Sequence, residues 1–257
     1  MRVLLKSPGV WQAGEQCWCR GCAIIEGKLL RDADLLKRID QLRTTEQAVE
    51  FARSAGGFFA FIRLFPSGDA CAVVDCGRSI PLFFCRHSGE LTVGDSARTL
   101  ASRLGEREPD PLAKAEFMLM CCVSGNDTLH PEVKQLRAGE MLLHRAADNE
   151  AEIERFFRYR QVREPEHTRA ELLDYGRAVI SEAVVNLARY ADGRTIVVPL
   201  SGGMDSTMLL AVLARSGYPR LAAYTYGRPQ SSEMRHSRSI TAELGVPWHP
   251  VEYLSLI

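Results

Sequence analysis

One stretch constrains this chain more than any other: Thr195-Ile196-Val197-Val198-Pro199-Leu200 followed at once by Ser201-Gly202-Gly203-Met204-Asp205-Ser206-Thr207. A β-branched run of the first kind is buried in a parallel sheet. The second segment is a glycine-rich turn, and a helix pattern over 208–215 follows it, ending at Gly217 before Pro219. Strand, glycine-rich turn and helix, in that order, make an anion cradle. Adjacent glycines let the backbone approach phosphate oxygens, and the amides at the helix start point at the anion. Ser201, Ser206 and Thr207 can add hydroxyl donors, and Asp205 can hold a magnesium ion that bridges phosphates. The lysine of GxxxxGK[ST] is absent, which excludes the loop of GTPases and motor ATPases.

The flanking pattern supports the same architecture. The sequence predicts a second strand over Leu221–Tyr226, a helix over Ser232–Leu244 and a third strand over Trp248–Tyr253. Such alternation builds right-handed βαβ units in a parallel sheet. Sites in these sheets lie at the carboxyl ends of the strands, where the Ser201–Ser206 turn and Tyr226-Gly227 fall. Upstream, Thr168-x-x-Glu171 is a capping box. The helix it opens carries Leu173, Gly176, Ile180, Val184 and Leu187 on one stripe, the spacing of a packed face, and stops near Asp192-Gly193. The polar, proline-containing segment 161–167 predicts a linker, dividing the chain into domains over 1–160 and 161–257.

The first half reads as short strands with turn punctuation. Gly57–Ile62 and Ala70–Val74 flank Pro66-Ser67-Gly68-Asp69, a hairpin signal. Ile80–Cys85 and Glu90–Val93 flank His87-Ser88-Gly89, a helix pattern covers Ala115–Cys122, and Met141–His144 returns to strand. All eight cysteines precede position 123. Cys17, Cys19 and Cys22 offer three thiols with no second CxxC or HxxxH to complete a tetrahedral site. They are expected to be packing residues on a strand, with Trp18 on its other face, and Cys121-Cys122 to be packing residues of a helix. The phenylalanines of Gly57–Ile62 are expected in a core.

Lys plus Arg (32) and Asp plus Glu (32) cancel, so no global basic field attracts nucleic acid or an anionic membrane. The apolar runs are far shorter than the ~18 residues a membrane span needs. The expectation is a soluble, cytoplasmic protein without nucleic-acid or membrane partners.

The SGGxDS pattern of Ser201–Ser206 resembles the loop of PP-loop enzymes, which split ATP into AMP and pyrophosphate. With Tyr224-Thr225-Tyr226-Gly227, Ser232-Glu233 through Gly245, and His249, the chain resembles the asparagine synthetase family. Its first half is similar to that family's glutamine amidotransferase domain at Gly56–Phe61, at Asp75-x-x-Arg78-Ser79-Ile80-Pro81-Leu82-Phe83-Phe84, and at Leu129-His130-x-x-Val133-x-x-Leu136-x-x-Gly139. The resemblance implies an α+β, Ntn-type layered sandwich of antiparallel sheets with helices, then an α/β parallel-sheet PP-loop domain. It implies ATP and Mg2+ as cofactors. It also implies that a small-molecule carboxylate attacks the α-phosphorus of ATP and that ammonia or an amine then displaces AMP. By the same resemblance, the Leu200 and Tyr226 backbones line adenine, Ser201, Gly202, Gly203, Asp205 and Ser206 hold pyrophosphate, and Asp205 binds the metal. Glu233 and Arg228 are weaker candidates, since surface Glu and Arg are ordinarily solvated. No catalytic residue is assigned.

Two departures accompany the resemblance. The family's glutaminase uses a cysteine after the initiator Met, and Arg2 stands here, so the first domain is expected to be degenerate, without glutaminase activity. Little chain follows Thr195, so the PP-loop domain is expected to be truncated and to need a completing chain or a second copy as partner. The leading expectation is an ATP-dependent amide-forming ligase. A nucleotide-binding pseudoenzyme and a tRNA-modifying PP-loop ligase are the alternatives, the latter opposed by the zero net charge.

Overall fold

The computed structural model describes residues 1–105, 108–161 and 167–253. The chain divides into two compact units, Met1–Gln161 and Val162–Ile257. Most of the segment read as a linker, and the apolar terminal residues 254–257, lie outside the described residues.

The first unit holds strands β1 (Arg2–Leu4), β2 (Gln12–Ala13), β3 (Cys17–Ile25) and β4 (Lys28–Arg31), then helices α1 (Asp32–Asp40) and α2 (Thr45–Ser54). Strands β5 (Gly56–Leu64), β6 (Ala70–Val74), β7 (Phe83–His87) and β8 (Glu90–Gly94) follow. Helices α3 (Ala97–Leu104) and α4 (Pro111–Met120) lead to β9 (Val133–Gln135), β10 (Glu140–Arg145) and β11 (Glu150–Arg155). One sheet runs β11-β10-β6-β5-β3-β2, with β4 also on β3, and a second runs β1-β8-β7-β9.

Alternation along the strands sorts side chains into layers. Cys17, Cys19, Phe59, Phe61, Cys71, Val73 and Met141 face one way, against Leu35 and Ile39 of α1 and Phe51 of α2. Phe51 meets Phe59 and Phe61 edge-on, with ring centroids 5.8 and 5.5 Å away. Ala60, Ile62, Ala72, Val74 and Leu142 face the other way, in one cluster with Leu91 and Val93 of the second sheet. Leu100 of α3 covers Cys85 and Val133 on that sheet's far side. The order is therefore helices, sheet, sheet, helix.

Several expectations are corrected here. The second sheet is mixed, because β1 runs parallel to β8; a chain this long between them can make the crossover that parallel pairing needs. The strand expected from Ile80 begins at Phe83. Asp75 accepts hydrogen bonds from the Gly77 and Ser79 amides and holds 77–79 in a turn, and Pro81 has no amide to join a ladder. Helix α4 stops at Met120, and Cys121 caps it with φ 57°. Cys121 and Cys122 are exposed, as is Cys76, so these three thiols are not packing residues, whereas the other five are buried.

The second unit opens with α5 (Arg169–Ala191), followed by β12 (Ile196–Pro199), α6 (Met204–Arg215), β13 (Leu221–Gly227), α7 (Ser232–Leu244) and β14 (Trp248–Glu252). The capping box forms in full, with Thr168 and Glu171 each satisfying the other's amide. The stripe expected to pack along α5 does so only toward its end: Val184 is buried and Leu187 partly so, but Leu173 is exposed. The three strands form a parallel sheet, β12-β13-β14. Val198, Leu200 and Ala223 point into a core with Val184, Leu210, Leu213 and Val246. On the other face, Val197, Tyr226 and Val251 are exposed. Among the described residues, no helix is long and apolar enough to cross a membrane.

Candidate functional site

Strand β12 ends at Pro199, and the chain turns through Leu200–Gly203 into α6 at the carboxyl edge of the sheet. Gly202 has φ +73°, a left-handed conformation that L side chains rarely adopt. A Cβ there would also lie 3.2 Å from the His236 Cβ on α7. Gly203 differs. It is the N-cap of α6, with φ −78° and ψ 165°, and a Cβ there would approach within 3.3 Å only the movable Ser201 hydroxyl. Of the two glycines, Gly202 is the one that the backbone demands.

The α6 N-cap supplies no side-chain acceptor, so its first-turn amides lack a capping partner from that residue. The Ser206 hydroxyl sits 3.4 Å from the Ser201 amide, the Ser201 hydroxyl and the Gly203 carbonyl alike. Three contacts at that length are weak, and both hydroxyls can turn toward an incoming acceptor. Thr207 does not join them as expected, because its hydroxyl donates to the Gly203 carbonyl at 2.7 Å. Asp205 is exposed in the first turn of α6.

A cleft of about 150 Å3 opens beside the loop, lined by Pro199, Leu200, Ser201, Tyr224, Thr225, Tyr226 and Glu233. Tyr226 is exposed at the end of β13. Leu200 also lines this cleft, and its backbone polar groups are hydrogen-bonded. Its amide donates to the Tyr224 carbonyl at 2.8 Å, and its carbonyl accepts from Thr225 Oγ1 at 2.8 Å and Ser237 Oγ at 3.2 Å. Both polar groups are spent inside the fold. Glu233 borders the cleft from the first turn of α7, and Arg228 is exposed in the loop after β13.

The sequence assigned no role of their own to Thr225 and Ser237. The signal was present: Thr225 alternates with the inward Ala223, and Ser237 shares a helical stripe with Met234 and Thr241. A hydroxyl in a buried stripe requires a partner.

Residues 176–255 match the asparagine synthase family model, so the resemblance drawn from the motifs holds over this stretch. The chain is also similar to a 7-cyano-7-deazaguanine synthase from Polynucleobacter asymbioticus, 40% identical over 78 residues, covering 30% of this chain and 32% of that protein. It thus spans about a third of that curated relative. A solved glutamine-dependent NAD+ synthetase from Acinetobacter baumannii, in complex with ADP, matches at 12% identity and a TM-score of 0.25, covering 86% of this chain and 54% of that one.

Proposed function

We propose that the second unit is the nucleotide-binding part of an asparagine synthetase-like, ATP-dependent amide-forming ligase. The observation that carries this reading is the left-handed Gly202 in a strand–turn–helix corner, inside the stretch that matches the asparagine synthase family model. In this reading, Ser201, Gly202, Gly203 and Ser206 bind pyrophosphate oxygens with backbone amides and hydroxyls at the positive end of α6. The base lies in the adjoining cleft, which Leu200 and Tyr226 help to line.

Asp205 fits Mg2+. Magnesium is ordinarily held by one or two carboxylates together with substrate phosphates. An exposed carboxylate in the first turn of a phosphate-binding helix repels phosphate unless a cation stands between them. Bound there, the ion would neutralise the departing pyrophosphate. The chain's own part is to fix the phosphates while a carboxylate oxygen attacks the α-phosphorus. The bond to pyrophosphate breaks, and ammonia or an amine then attacks the acyl carbon and displaces AMP. The first unit, in this reading, is an Ntn-type amidotransferase-like domain.

The test is ATP–pyrophosphate exchange with a panel of carboxylates. Exchange that needs both a carboxylate and Mg2+ supports the reading, and binding of Mg-ATP without any exchange favours a pseudoenzyme. The similarity to 7-cyano-7-deazaguanine synthase favours a second reading, an enzyme of that kind. Mass analysis separates the two, because the second gives a cyano-bearing product and the first an amide.

A further inference from the structure

We infer that Thr225 and Ser237 are positioning residues that aim the phosphate loop by clamping the Leu200 carbonyl; the inference rests on the nucleotide reading of that loop. Both side chains are buried, Thr225 2% exposed and Ser237 0%. They come from different elements, β13 and α7, yet both donate to this one oxygen, at 2.8 and 3.2 Å. Trp248 Nε1 at the start of β14 donates to Thr225 Oγ1 at 3.0 Å, so the threonine hydroxyl is held as acceptor while its proton goes to Leu200. Two elements thus converge on the last carbonyl before the loop, and a third fixes one of the two donors.

The consequence follows from the planarity of the peptide unit. The Leu200 carbonyl and the Ser201 amide belong to one rigid trans plane and point in opposite directions. A carbonyl pulled toward β13 and α7 sends the Ser201 N–H the other way, into the loop, where it faces Ser206 Oγ at 3.4 Å. Without the clamp this plane can rotate. A rotated plane withdraws a donor from the anion and turns a carbonyl oxygen toward it, so attraction becomes repulsion. Two acceptor sites on the carbonyl are filled by two hydroxyls, which leaves the plane one orientation.

The experiment is calorimetric titration of the full chain with Mg-ATP. Thr225→Val keeps the volume and loses the hydroxyl, whereas Thr225→Ser loses a methyl group and keeps the hydroxyl. Affinity is expected in the order wild type and Thr225→Ser together, with Thr225→Val about tenfold weaker. A packing role predicts the opposite order, with the serine variant worse. Ser237→Ala leaves both Thr225 and Trp248 paired and is expected to weaken Mg-ATP several-fold, which keeps the test open if Thr225→Val does not fold. Mg-ATP binding by Ser237→Ala or by folded Thr225→Val as tight as by wild type overturns the positioning role alone. A wild-type chain that takes up no Mg-ATP overturns the nucleotide reading and this inference with it.

Discussion

The two adjacent glycines of the loop should respond unequally to alanine, and the structure sets the difference. Gly202 has φ +73°. An alanine held there costs about 1–2 kcal/mol of backbone strain. Its methyl group would also crowd the His236 Cβ at 3.2 Å, and His236 is fixed on α7. The simplest relief is a turn of the backbone toward negative φ, which swings the loop amides away from the anion. A hydrogen bond to a charged group is worth about 1.5–3 kcal/mol, so losing even one weakens Mg-ATP by about ten- to a hundredfold. Gly203→Ala faces neither problem. Its φ is already −78°, and the Ser201 hydroxyl at 3.3 Å can rotate. Its expected cost is up to about 1 kcal/mol of stability from the poorer N-cap, with most of the affinity retained. Calorimetric titration of both variants with Mg-ATP, alongside thermal melts, measures these effects. Equal affinities for Gly202→Ala and wild type, or a larger loss at Gly203 than at Gly202, would refute the geometry assigned to the loop.

Replacing Asp205 with Asn should lower Mg-ATP affinity by about 1–3 kcal/mol and raise affinity for metal-free ATP, because the cation bridge and the carboxylate's repulsion are lost together; an unchanged magnesium dependence in the titration contradicts the metal assignment. Burial alone would raise the Glu140 carboxyl, but hydrogen bonds from the Arg137 side chain and amide, from Arg155 and from Asn126 outweigh it and hold the group down at about 2. A depressed folded value means stability that is present above the ordinary carboxylate range and lost as pH falls through it toward 2. The first unit should therefore lose about 3 kcal/mol across that window, and Glu140→Gln should flatten the acid limb of a denaturation series. Under native conditions a thiol reagent should modify Cys121 and Cys122 first and the exposed Cys76 after them, because burial and Asp75 push the Cys76 thiol up, whereas Cys19 and Cys71, pushed up to about 12 by burial, should stay unreacted until the chain unfolds; peptide mapping of the early adducts decides this.

What could be read in advance depended on whether neighbours along the chain or contacts across it decided the outcome. The capping box at Thr168 and Glu171 is local, and it closes as the spacing predicts. Helix α7 begins at Ser232 and ends at Leu244 because the Ser231 cap and Gly245 are both written beside it. The strand–turn–helix corner at 196–204 has the same character, since a β-branched run, two glycines and a helical stripe each act within a few residues. The apolar helices were less legible. Leu173 on α5 and Met118, Leu119 and Met120 on α4 have the composition of packed residues but are exposed, because hydrophobic periodicity names a face and not what covers it. The hydrogen bonding of Leu200 was illegible for the same reason from the opposite side. A family likeness marks a backbone position, but whether its carbonyl is free depends on hydroxyls 25 and 37 residues away. Those hydroxyls show in the sequence only as polar residues interrupting buried stripes at Thr225 and Ser237. Each interruption implies a partner without naming it, and here the two partners are one oxygen.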